Sequence, residues 1–244
     1  MERWRGQGQA APDFRSCGDG RPVGCGHPPP VVPAAVRLSG TVPKRLSIFP
    51  LPGAILFPGL QLPLHVFEPR YRELVGSALA KDRQIAMIQP QRGGDGAPLY
   101  NVGCIGKIDD VEALEDGRYN IVLEGVSRFR LLRELDVTTA FRQVEGELIT
   151  DVQDEVLSSV ERGNFEFEAR RFADLQGYSV DWDSVERLDD ETLINGVAQI
   201  APFDAASKQA LLEAPGLAQR CELMVQLMQF YGFRDDGEEI VTLQ

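Results

Sequence analysis

The residues that could do chemistry in this chain are few and scattered. His65 sits between apolar neighbours, in Leu62-Pro63-Leu64-His65-Val66-Phe67, with no acidic or nucleophilic partner at a useful spacing. Without such a partner it reads as a packed or hydrogen-bonded histidine rather than a general base. Cys17, Cys25 and His27 are metal-ligating types, but their spacing fits no zinc pattern and a fourth ligand is missing. Gly93-Gly94-Asp95-Gly96 is glycine-rich like a phosphate loop, yet no Gly-Lys-Ser/Thr follows it. Glu68, Arg70 and Arg72 bracket a helix start, where capping and surface pairing compete with clamping a peptide terminus. Glu124 and Arg128 flank Gly125, as a turn anchor or as a polar contact for a ligand. None of these groups forms a nucleophile–base pair, so the expectation is no enzyme, no metal and no cofactor.

The elements that must position these residues follow from punctuation and periodicity. Ile55-Leu56-Phe57 stops at Pro58-Gly59, and Leu62 to Phe67 stops at Glu68-Pro69. Pro before Gly predicts a tight turn, and Pro69 suits a first helical turn. Residues 46–75 therefore read as strand, turn, strand and helix start. Tyr71, Leu74, Val75 and Leu79 recur at helix spacing over 70–81. Strands are predicted at 84–89, 100–114, 119–123, 128–135 and 141–149, with Gly125 as a break and Gly103 and Gly106 as bulges or close approaches. Asp116-Gly117 predicts a two-residue type I′ hairpin.

Past Thr150 the period becomes helical. Phe165, Phe167, Phe172 and Leu175 form a predicted buried stripe, with Gly163-Asn164 as a point of interruption. A loop carrying Trp182 follows. Asp189 or Asp190 is expected to cap a helix that turns Leu193, Val197 and Ile200 to one side. Asp204 is expected to cap the next. A last helix, 217–231, turns Leu223, Leu227 and Phe230 inward. The fold class is thus α+β: a β-rich part at 45–150, a helical part at 151–234, and a frayed acidic end at 235–244. Residues 1–44 hold few large apolar groups and carry six cations against three carboxylates. They read as a disordered tail, or as translated sequence upstream of the true start.

Composition narrows the partners. The net charge of −12 argues against nucleic acid, since phosphate contacts need a basic face. No apolar run approaches the roughly 20 residues that span a bilayer. There is no signal-peptide core, and four cysteines are too sparse for a disulfide framework, which fits the cytoplasm.

An ordered series of motifs then carries a resemblance. It comprises Phe49-Pro50-Leu51, Leu56-Phe57-Pro58-Gly59, Leu62 to Tyr71, Tyr100 to Gly106, Asp116 to Tyr119, Leu123 to Phe129, Gln199 to Phe203 and Lys208 to Glu213. Together they resemble the Lon N-terminal, substrate-binding domain family, and in particular its bacterial stand-alone members. The resemblance covers roughly residues 46–232. It implies a PUA-like pseudo-barrel followed by a C-terminal helical bundle. It also implies binding of unfolded or degron-bearing polypeptides, with a protease or chaperone as a further partner in protein quality control. The ATPase and Ser-Lys peptidase of full Lon proteases have no counterpart motif in this sequence. The expected role is a non-catalytic polypeptide-binding module, an adaptor or chaperone-like protein. The alternative is a PUA-like binder of a small ligand or RNA. The expected contact residues are Leu60, His65, Phe67, Arg70, Tyr71, Glu124 and Arg128, on or near the strand–turn–helix stretch, where an apolar groove would suit a peptide.

Overall fold

The computed structural model describes residues 42–94, 96–150 and 155–234. The expected tail therefore lies outside the described residues, apart from its last three, as do Cys17, Cys25, His27 and the acidic end.

Strand β1 is Lys44–Pro50 and β2 is Gln61–Val66, followed by helix α1, Pro69–Leu79. Pro69 takes the first helical position, as its missing N–H allows. Then come β3 (Gln84–Ile88), β4 (Val102–Ala113), β5 (Tyr119–Leu135) and β6 (Gln143–Leu148). The sheet order is β2-β5-β4-β3-β1-β6, and β6 pairs with β5 as well. That second pairing closes β1, β3, β4, β5 and β6 into a ring, with β2 attached outside on β5. The β1–β3 pair is parallel and the others antiparallel.

Alternation along the strands sorts side chains into two cores. Leu46, Ile48, Ala86, Ile88, Ile105, Phe129 and Val144 come from all five ring strands and fill the ring. The alternate positions Phe49, Ile85, Met87 and Cys104 face outward, under Tyr71, Leu74, Val75 and Ala78 of α1. Gly103 makes the interior possible, because a Cβ there would fall on the Met87 carbonyl and the Phe129 ring.

Several sequence expectations change here. Ile55-Leu56-Phe57 is not a strand. Leu56 joins the core beneath α1, whereas Ile55 and Phe57 enter the core of the helical part. Gly125 does not break its strand, for β5 runs unbroken through it with a register shift opposite Ile105 and Gly106. Its missing side chain admits the Phe57 carbonyl, and its backbone accepts from Gly59 N (2.9 Å) and donates to Leu60 O (2.8 Å). The β4–β5 hairpin is a three-residue loop rather than type I′. Leu114 N donates to Arg118 O, Gly117 N to Leu114 O, and of the loop residues only Gly117 has positive φ.

The helices are α2 (Ser159–Leu175), the short α3 (Trp182–Val185), α4 (Asp190–Ile200), α5 (Ala205–Glu213) and α6 (Leu217–Arg234). Gly163-Asn164 does not interrupt α2, whose start is fixed by a Ser158–Glu161 capping box. Phe165 and Phe172 are buried, but Phe167 and Leu175 point outward. On α6 the buried face is Leu217, Cys221, Met224, Val225 and Met228; Leu223 and Leu227 of the predicted side pack half-buried against the same core, and Phe230 is exposed. Glu155 caps α6 from a distance in sequence, accepting from Leu217 N at 2.7 Å.

Candidate functional site

Of the seven residues singled out from sequence, the structure makes no single surface. Tyr71 is buried, stacks on Phe49 with ring centroids 4.1 Å apart, and belongs to the core beneath α1. Arg128 is 2% exposed and donates to the Leu212 and Ala214 carbonyls at 2.6 Å each. It fastens β5 to the carbonyl end of α5, where a cation also meets the negative end of the helix dipole. Both side chains are inaccessible to a ligand. Leu60 is half-buried against the helical core. Arg70 pairs with Glu68 at 2.9 Å and lies over the Tyr71 ring. His65, Phe67 and Glu124 are exposed. His65 Nδ1 lies 2.6 Å from Asn120 Oδ1, and Nε2 lies 3.2 Å from an Arg118 nitrogen. A proton on Nδ1 satisfies both contacts, which makes His65 part of a surface hydrogen-bond chain.

A site that the sequence reading missed lies in the helical part. An apolar cleft of about 640 Å³ opens between α2, α4 and the segment joining them. Its floor is Phe165, Phe172, Leu193 and Met228. Its rim exposes Tyr178, Val180, Leu188 and Ile200, the last at 80%. Small residues make the space: Ala169 and Ala173 on α2 face Gly196 on α4. A Cβ at Gly196 would have nothing within 4 Å. Glycine inside a helix costs about 1 kcal/mol relative to alanine, so its presence without a packing need is informative.

Two arginines of α2 hold the outer wall. Arg162 binds Glu166 (2.5 Å), Asp190 (2.6 Å) and the Leu188 carbonyl (3.1 Å). Arg170 lies 4.5 Å over the Trp182 ring and binds Glu186 at 3.0 Å. The wall is therefore tied down at both ends, and the cleft between is preformed. The sequence signal was the run Tyr178-Ser179-Val180-Asp181-Trp182, unusually rich in large side chains for a connection between helices.

The cleft's lining is mostly apolar, so what it offers a ligand is chiefly contact and burial. Among the described residues no three His, Cys, Asp or Glu side chains are placed to hold a metal. Burial pushes the Cys221 thiol up to about 11, far from the thiolate a nucleophile needs. Among the same residues no helix is long and apolar enough to cross a membrane.

The comparisons with known proteins agree with one another. The family model described as ATP-dependent protease La (LON) substrate-binding domain matches residues 45–229. Among curated proteins the chain is similar to Lon protease 1 of Bdellovibrio bacteriovorus, at 26% identity over 79% of this chain and 25% of that protein. It is also similar to Lon protease 2 of Sorangium cellulosum, at 30% identity over 47% of this chain and 15% of that protein. The chain spans about a quarter of the length of the first of these. Among solved structures, the Lon N-terminal domain protein from Xanthomonas campestris superposes with a TM-score of 0.59 at 22% identity, covering 77% of this chain and 98% of that one. The N-terminal domain of Mycobacterium avium complex Lon protease does so with a TM-score of 0.59 at 21% identity, covering 76% and 98%. At these identities the structural likeness speaks to the fold.

Proposed function

The chain belongs to the ATP-dependent protease La (LON) substrate-binding domain family, and on that premise we propose that it is a non-catalytic polypeptide-binding module whose helical cleft receives an apolar segment of an unfolded chain. The observation that carries the reading is the preformed cleft with an exposed apolar rim, Ile200 above all. Sites that take extended or helical peptides use such grooves. The same proposal takes the closed ring as a PUA-like pseudo-barrel and the helical part as a bundle. It places the protein in cytoplasmic quality control, delivering chains to a protease or chaperone.

Affinity in such a cleft comes mainly from apolar burial, roughly 25 cal/mol per Å², offset by the cost of ordering a flexible chain. The net value should be on the order of micromolar and nearly independent of salt. The test is binding of a reduced, unfolded model protein and of its folded form, across a salt series. A Cβ at Gly196 meets nothing within 4 Å, so Gly196→Leu carries its side chain into the cleft and improves helix propensity; it should weaken binding about tenfold or more while the melting temperature holds or rises. Undiminished binding by Gly196→Leu, or equal binding of the folded form, would overturn the cleft as the site.

A further inference from the structure

At one mouth of the strand ring a second cleft, of about 600 Å³, gathers Lys44, Arg45 and Lys81 with a single carboxylate, Asp82. In a chain of net charge −12, a local excess of two positive charges is a departure that surface composition does not explain. Two of the three cations are also held in place. Arg45 Nε donates to Gln143 Oε1 at 2.6 Å, and that glutamine is 6% exposed. Gln143 Nε2 in turn donates to Thr139 Oγ1 at 3.1 Å, and the Thr139 hydroxyl donates to the Phe141 carbonyl at 2.8 Å. This chain fixes the guanidinium through its inner nitrogen. Its two terminal nitrogens are left without a protein partner among the described residues. Lys44 is steadied by Gln84 at 2.5 Å and stands 3.8 Å from Asp82. The Lys81 ammonium has no partner among the described residues. Beneath these groups the cleft reaches apolar side chains of the ring interior, Leu46 and Ile105.

We infer that this mouth binds a small phosphate-bearing molecule, with its phosphate on Arg45 and Lys81 and an apolar or flat body over Leu46 and Ile105. A phosphate dianion matches the local excess of charge, and an oriented guanidinium offers it two parallel donors. The cleft volume suits a body of nucleotide size. This site lies apart from the helical cleft and does not depend on it.

The experiment is titration calorimetry of the full chain with adenosine monophosphate, inorganic phosphate and adenosine. Adenosine monophosphate should bind at least about tenfold tighter than adenosine, and weaken as salt rises. Inorganic phosphate should compete for the same sites. The double variant Arg45→Gln, Lys81→Gln should lose binding at least about tenfold, and Lys81→Gln alone, whose side chain is exposed, should weaken binding with its melting temperature unchanged. Gly196→Leu should bind the nucleotide as the parent does, which separates this result from failure of the helical cleft. Equal affinity for adenosine, no binding of either phosphate probe, unaltered binding by the double variant, or an acidic peptide that competes as well as the nucleotide would each overturn the proposal.

Discussion

One buried cation, Arg128, joins the sheet to the helices. Arg128 is almost wholly enclosed, and its guanidinium satisfies carbonyls at the end of α5 that would otherwise be buried without donors. Each buried acceptor left unmet costs roughly 1–3 kcal/mol. Arg128→Met should therefore destabilise the protein by at least about 2 kcal/mol, read as a lower urea midpoint with little change in slope. Arg128→Lys should recover little of this, because both carbonyls are met by Nη1, one bond further from the backbone than a lysine ammonium reaches, and the Nη2 contact to the Pro215 carbonyl is lost as well. A polypeptide-binding defect in either variant would then track the fraction unfolded, as expected of a residue this deeply buried.

At the scale of elements, the helices are started by carboxylates. Asp189 accepts from Thr192 N at 2.9 Å and Asp204 from Ser207 N at 2.7 Å. These backbone N–H groups hold both carboxyls below their ordinary value of 3.8. A depressed folded value means that the stabilisation is complete above the unfolded value and is lost as pH falls through the folded one. The caps should thus contribute fully at pH 5 and fade below about pH 4. Asp189→Ala should cost about 1 kcal/mol at pH 7. Asp189→Asn keeps an acceptor that does not titrate, so it should hold most of the stability while flattening the acid dependence. Urea midpoints at pH 5 and pH 2.5 for the three proteins check both statements. The helix starts at Asp189 and Asp204 were legible because capping is local chemistry, whereas the Ser158 start of α2 was not singled out. The inward face of α6 was not, because which side of an amphipathic helix is buried depends on its neighbours. Here α2, α4 and α5 pack against α6 and share a core with Met224 and Met228, and Phe230 is left outside.

For the whole molecule, the decisive feature is that one core crosses from strands to helices. Ile55, Phe57 and Val102 lie in the same cluster as Phe165, Leu193 and Met224. Gln209 extends the junction by donating to the Val102 carbonyl at 3.0 Å, and Gln89 donates to Gln209 at 3.1 Å. Removing the helical part would expose the Phe57 side chain and strand these amides. The two parts should therefore unfold as one cooperative unit. Hydrogen exchange should give the amides of Ile105 and Met224 the same opening free energy, equal to that of global unfolding. A lower value at Met224 alone would show that the helices open independently.

The sequence alone carried much of what neighbours along the chain set: the alternation over 128–135 and 141–149, the Pro69 helix start, the caps at Asp189 and Asp204 and the α+β order. The ordered motifs from Phe49 to Glu213 pointed to the family. Tertiary structure decided what depends on partners far apart in sequence. It closed the ring through the second edge of β6, pulled Ile55-Leu56-Phe57 out of any strand, and buried Tyr71 and Arg128. The helical cleft belongs to the same class. Ala169, Ala173 and Gly196 are ordinary small residues until α2 and α4 are set side by side, and only then does their missing volume become a site.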